Sequence, residues 1–276
     1  MKINSFYLLD RNSVNLIKES INGKIQKDKT KLKFIKRLRS IDRKGNFISP
    51  LFSIIEGEKG RKDSFEEKIS CLNHEADVIR QFYKHARVDS DFLSANAQQA
   101  GQIFTENLEL GWPVRTKYFE VACPMLKAGV PKLQRSSVQD RLLKAAKDLD
   151  LPIRDPLVVI CLACLHGGKE ARGMLKPASP RSYNALSDLY VIIRIGFLKA
   201  LMSKHGPTIR IHFLSMDTAL AGILSMISYP DSSITERGDL NLSLKYEVEL
   251  FKDLSKDEAI DLLESLLATT GQEGEV

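Results

Sequence analysis

Ile3-Asn4-Ser5-Phe6-Tyr7-Leu8-Leu9-Asp10-Arg11-Asn12 decides the fold: an apolar run breaks at an acid and passes straight into a helical pattern, with Val14, Leu16, Ile17 and Ile21 on one face. A short buried strand that ends in a carboxylate and feeds a helix is the repeating piece of open α/β sheets, whose ligands and metals bind at the carboxyl ends of the strands. Thr208-Ile209-Arg210-Ile211-His212-Phe213-Leu214-Ser215-Met216-Asp217 repeats the design, with Thr218-Ala219-Leu220-Ala221 opening the next helix. Two strands therefore aim Asp10 and Asp217 at one sheet edge.

A third acid ends an apolar element as well. Phe47-Ile48-Ser49-Pro50-Leu51-Phe52-Ser53-Ile54-Ile55-Glu56-Gly57 reads as a helix with Ser49 as its cap, Pro50 at its first position and Glu56 at its end. Between the first and third acids, cations crowd the chain from Lys24 to Lys44, opposed only by Asp28 and Asp42. Such a run is either a solvated helix face or a surface that tracks phosphates through Lys31, Lys33, Lys36, Arg37 and Arg39.

The rest of the chain extends this frame. Leu157 to Leu165 and Leu189 to Met202 read as buried helices ahead of the Asp217 strand, and the order strand, helix, helix, strand argues for a parallel α/β/α core with helical crossovers. Residues 1–57 and 150–229 form that core. Residues 58–149 read as a mostly helical insertion, with Phe65, Ile69, Leu72, Ala76, Ile79 and Phe82 on one face of a segment that starts near Lys59. Residues 230–276 read as an extension. Leu240, Leu242, Leu244, Tyr246, Val248 and Leu250 alternate with mostly polar residues as one long half-buried strand, and Ser255-Lys256-Asp257-Glu258 is a capping box for a last helix. Strand and helix would close the sheet edge or make a homodimer contact, and Gly271 to Val276 reads as a disordered tail.

The 276 residues are 43% hydrophobic and 28% charged, the balance of a globular protein with a full core, and no apolar run is long enough to span a bilayer. With no basic-then-apolar leader at the start, the cytoplasm is the expected compartment. Net charge of +6 and a pI of 9.0 suit a polyanionic partner. Cys161-Leu162-Ala163-Cys164 lies within an apolar run and has no second cysteine pair, so two buried thiols explain it better than zinc or redox chemistry.

Carboxylates gathered at one edge repel one another, so they persist where a hard divalent cation neutralises them or where each has its own cationic partner. Mg2+ or Mn2+ suits such an all-oxygen site and supports phosphodiester hydrolysis.

Tyr7-Leu8-Leu9-Asp10-Arg11-Asn12, Ile48-Ser49-Pro50 through Ile55-Glu56, and Phe213-Leu214-Ser215-Met216-Asp217 resemble, in order, the three acid-bearing motifs of PIN-domain ribonucleases. The resemblance covers roughly residues 1 to 57 and 150 to 224. It implies an enlarged member of the toxin or defence type, with a Rossmann-like α/β/α fold and Mg2+- or Mn2+-dependent endonucleolytic cleavage of RNA. An inhibitor protein is a further partner it suggests. Asp10, Glu56, Asp188 and Asp217 would then be the catalytic and metal-binding acids, with Asp155, which also precedes an apolar helix, as the alternative to Asp188. Asn12 and Ser215 would orient Asp10 and Asp217. A haloacid-dehalogenase-type phosphatase wants an acid where this chain has Asn12. The competing reading is a noncatalytic PIN-like scaffold that binds nucleic acid or a protein.

Overall fold

The computed structural model describes residues 4–56, 63–99, 102, 111–203, 209–235 and 240–268; Gly57, Lys59, Thr208 and the tail from Gly271 lie outside these. The chain divides into two units, one formed by residues 1–110, 193–221 and 231–242, the other by residues 111–192, 222–230 and 243–276.

The first unit is α/β around a parallel sheet. Strands β1 (Ser5–Leu9), β2 (Asn46–Ser49), β3 (Arg87–Val88) and β4 (Arg210–Leu214) lie in the order β3-β2-β1-β4, and every pairing is parallel. Tyr7 stands opposite Ile48 on one side and His212 on the other, and Leu9 opposite Leu214, so β1 and β4 end together. Because side chains alternate along a strand, Leu9, Ile48 and Leu214 share one face. There they join a core cluster with Val14 and Ile17 of α1 (Arg11–Ile21), Leu38 of α2 (Lys29–Ser40) and Ile79 of α4 (Phe65–Phe82). Each such side chain, fully buried, contributes about 1.5–3 kcal/mol. On the opposite face Phe6 meets Phe47 edge-on at 5.1 Å, and Phe52 of α3 (Leu51–Glu56) lies 5.9 Å from Phe213.

Three expectations are corrected here. Phe47 and Ile48 belong to the strand Asn46–Ser49 and not to the helix, Phe47 pairing with Phe6; the helix read from Ser49-Pro50 to Glu56 does form as α3, with Ser49 Oγ accepting the Leu51 N–H at 3.1 Å after Pro50, which has no N–H to extend a ladder, turns the chain. The supposed insertion is split. Helix α4 packs on α1, with Lys18 reaching the buried Glu75 at 3.3 Å, and β3 completes the sheet, while residues 111–149 share the second unit with 150–192. The long terminal strand does not form either. Leu240–Asn241 pairs with Ser233–Ile234 in the first unit, Lys245–Tyr246 with Ile227–Ser228 in the second, and Val248–Leu250 is a 3-10 turn. Its alternation serves two units, so no single ladder can use it.

In the second unit α6 (Trp112–Leu126), α7 (Arg135–Asp148) and α9 (Lys169–Leu175) pack on α8 (Pro156–Leu165), all ten residues of which are buried. Cys161 and Cys164 sit inside α8 as free thiols, and burial holds both above the ordinary thiol range. At its end Gly167 adopts φ 82° and the Gly168 N–H donates to Ala163 O at 2.8 Å, closing the helix where the glycine pair stands. The long α10 (Ser182–Ser203) changes unit between Ile192 and Ile193, and α11 (Thr218–Ser225) between Ala221 and Gly222. Ser255 and Glu258 form the expected capping box on α12 (Lys256–Ala268). Among the described residues no helix is long and apolar enough to cross a membrane.

Candidate active site

Asp10 leaves β1 at its carboxyl end and is tied to β4 from the start: its N–H donates to Leu214 O at 3.2 Å. Its Oδ1 accepts the Ser13 N–H at 2.7 Å and caps α1, while Ser13 Oγ donates to the same Leu214 O at 2.8 Å. The side chains of Ser215 and Asn12 hydrogen-bond the carboxylate too. Asp10 is only 5% exposed, and burial raises its pKa above the ordinary aspartate value despite these bonds.

Glu56 ends α3, and its Oε2 accepts the Arg11 N–H at 3.4 Å. Burial, and after it the charge of Asp10, push its pKa to about 7, against the opposing pull of Arg11 and Arg194. Asp217 follows β4 by three residues. Its N–H donates to Ser215 Oγ at 2.8 Å, and its Oδ1 caps α11 by accepting from Ala219 and Leu220 at 2.8 and 3.0 Å. The structure thus brings Asp10 and Glu56 within electrostatic reach, and the parallel register of β1 and β4 puts Asp217 on the same edge.

The other two acids lie in the second unit. Asp155 caps α8 through Leu157 N at 2.9 Å, and its Oδ2 accepts from Arg115 Nη2 at 2.8 Å and Nε at 3.0 Å. Asp188 is on α10, where it lines a cavity of about 250 Å³ with Lys176, Arg181 and Asn184.

Sequence reasoning passed over two residues. Arg194, 2% exposed, is a cation within the apolar run of α10 and acts on Glu56. Asp89 stands between α5 (Ser90–Ala95) and β3, a strand of two residues, too short to show any period. The basic helix α2 is mixed. Lys31 pairs with Glu19 at 3.5 Å, and Arg39 reaches Ser20 Oγ at 3.1 Å while lying over the Phe82 ring; Lys33, Lys36 and Arg37 are exposed. With Arg210, Arg37 also faces His212, which stacks on Tyr7 at 4.7 Å; burial and then these two cations lower the His212 pKa.

A buried aspartate whose charge raises the proton affinity of a part-buried glutamate beside it makes a donor pair suited to a hard divalent cation, which would remove the repulsion. Among the described residues no three His, Cys, Asp or Glu side chains gather into a ready-made metal cluster, so the pair is the core of the candidate site. No protein-family model, curated protein or solved structure matches the chain.

Proposed function

We propose that the first unit is a PIN-like, Rossmann-type α/β/α nuclease core that hydrolyses RNA with Mg2+ or Mn2+ in the cytoplasm. The observation that carries the reading is the pair of buried Asp10 and part-buried Glu56 at the carboxyl edge of a parallel sheet, with Asp217 following the strand next to β1. Asp10, Glu56 and Asp217 would hold the metal, which when bound would offset charge on the scissile phosphate. Glu56, which a bound cation would keep ionised, can take the proton of an attacking water. As the water oxygen bonds to phosphorus, the opposite ester oxygen leaves and is protonated from solvent. Ser13, Ser215 and Asn12 fix the Asp10 carboxylate, and the exposed Lys33, Lys36 and Arg37 attract the phosphate backbone without reading sequence.

One observation favours the noncatalytic scaffold instead: Asp10 and Asp217 each spend an oxygen on a helix cap, a structural task that needs no metal. A cleavage assay on purified protein separates the two readings. Asparagine caps helices as well as aspartate does, so Asp10→Asn and Asp217→Asn should fold, keep their circular dichroism spectra and lose at least about 100-fold in metal-dependent RNA cleavage. Cleavage that persists in both variants, or a wild type inert with either metal, would remove the nuclease reading.

A further inference from the structure

The second unit holds a cavity of its own. It has a volume of about 250 Å³ and forms where the end of α9 and the turn after it meet the first two turns of α10. Met174 and Leu175, both buried, give it apolar walls, while Lys176, Ser179, Arg181 and Asn184 are exposed, so it opens to solvent. Its lining residues on α10 recur at helical spacing: Arg181, Asn184, Ala185 and Asp188 share one face. Arg181 O accepts the Ala185 N–H at 3.1 Å and so stands at the start of the helix. Asp188, half-buried, lies two turns further on, about 10 Å away at 1.5 Å per residue.

The charges that face the cavity do not cancel inside it. Among the described residues neither Lys176 nor Arg181 forms an ion pair, with Asp188 or with any other acid. Lys176 also sits at φ 46°, a left-handed conformation that glycine adopts without strain and lysine does not, so the chain keeps a cation there against its backbone preference. Two unpaired cations, together with the positive end of the α10 dipole, suit a phosphate, which an arginine can grip with two N–H groups. A carboxylate accepts hydrogen bonds at several lone pairs and donates none, so Asp188 asks for N–H or O–H donors beside any partner it already has. The Ser179 hydroxyl and the Asn184 amide each donate and accept, as sugar hydroxyls require.

A phosphate, a sugar and a donor-bearing group about 10 Å along describe a nucleotide. Asp188 selects the base. Guanine presents two adjacent donors, N1–H and N2–H, to the two oxygens of a carboxylate, whereas adenine and cytosine set a single amino group beside a ring acceptor, and uracil sets one N–H between two carbonyls. The volume lies just below the roughly 300–1,000 Å³ of ligand pockets and holds a single mononucleotide.

We infer that this cavity is a guanine mononucleotide site, with Lys176 and Arg181 on the phosphate and Asp188 on N1–H and N2–H of the base. It does not depend on the nuclease reading. Full-length protein is titrated calorimetrically with guanosine monophosphate, adenosine monophosphate, inosine monophosphate, guanosine and free arginine. Guanosine monophosphate should bind at least about tenfold tighter than adenosine monophosphate, the worth of hydrogen bonds to a charged acceptor, and inosine monophosphate, which keeps N1–H and lacks the amino group, should fall between them. Guanosine, without the phosphate, should bind at least about tenfold more weakly than its monophosphate. Replacing both cations, Lys176→Ala with Arg181→Ala, should bring the monophosphate down to within about twofold of guanosine. Asp188→Asn, which offers one acceptor and one donor, should leave the guanine and adenine nucleotides within about twofold of each other.

No heat from guanosine monophosphate at millimolar concentration, equal binding of the two monophosphates by the wild type, or a guanine preference that survives Asp188→Asn overturns the site. So does arginine, another small ligand with an anion and a pair of donors, if it binds more tightly than the nucleotide. Thermal melts check that the variants fold, and the wild-type series across the five ligands decides without them.

Discussion

Asp10 and Asp155 look alike and are not. Each precedes a helix, each is nearly buried at 5% and 6% exposure, and each caps its helix through Oδ1. The surroundings diverge at the second oxygen. Asp155 turns Oδ2 to two N–H groups of Arg115, whose guanidinium also donates to Tyr190 Oη at 2.8 Å and lies over the Tyr190 ring. Asp10 has hydroxyl and amide partners, and its charge acts on a second acid, Glu56. A buried acid with its own cation is finished as a structural part. A buried acid beside another acid keeps unspent repulsion, which a bound cation can relieve.

The largest expected effect tests that contrast directly. Arg115→Ala strands a buried carboxylate without its counter-charge and should destabilise the second unit by about 3–5 kcal/mol. Asp10→Asn in metal-free buffer removes a charge from a repelling pair while keeping a residue type that caps α1, so its stability should equal or exceed that of the wild type. Urea titrations of both variants are the check. An Arg115→Ala protein as stable as wild type, or an Asp10→Asn protein that unfolds readily, would reverse the assignment of the two acids.

How much of this difference was legible follows from where the information sits. Asp10 and Asp217 stood out because each closes an apolar run long enough to read as a strand, and the parallel pairing of β1 with β4 agrees with that reading. Phe47 and Ile48 were ambiguous, since Ser49-Pro50 opens a helix as readily as it ends a strand, yet Glu56 lands at the end of α3 either way. Position in the chain favours Asp188 over Asp155, and pattern alone goes no further. Both stand ahead of apolar runs, but Asp188 lies within α10, which already begins at Ser182, and what fixes Asp155 is Arg115, forty residues away in sequence. The unit boundary inside α10 leaves no mark either, because the helix stays apolar through Ile192 and Ile193.

The next effect is a pH dependence with a definite sign. Glu56 titrates near 7 in the folded protein and near 4.5 when exposed, so between those values the folded state holds the extra proton. Stability should therefore be greatest below about pH 4.5 as far as this group is concerned, fall as pH rises, and level off above 7, a loss on the order of 3 kcal/mol. Urea midpoints of wild type and Glu56→Gln from pH 5 to 8 measure it: the slope should be steeper in the first than in the second, where Asp89, also raised to about 7 by burial, keeps its own share. Millimolar Mg2+ or Mn2+ should restore stability at the alkaline end by binding the folded state. A Glu56→Gln protein with the same slope as the wild type would show that Glu56 carries no raised proton affinity beside Asp10, and that the pair resembles Asp155 after all.

The smallest effect concerns the exposed cations of α2, which touch neither acid in the comparison but should matter to one of them. Lys33, Lys36 and Arg37 are exposed on the helix that packs against α1, the helix Asp10 caps, whereas Asp155 has a guanidinium in contact. Each phosphate they neutralise releases condensed counterions, so replacing one with Glu should lower the slope of log affinity against log salt by about 0.7 for single-stranded RNA. Affinity should drop only a few-fold per residue at physiological salt, where exposed charges are screened beyond about 8 Å. Binding of a labelled RNA to the cleavage-deficient Asp217→Asn protein, measured across salt concentrations with and without Lys33→Glu and Lys36→Glu, reads both quantities. Melting of the second unit, held by Arg115 and Asp155, should not change with either substitution. An unaltered salt slope would return the run to a solvated helix face and leave the carboxylate pair as the sole feature that points to nucleic acid.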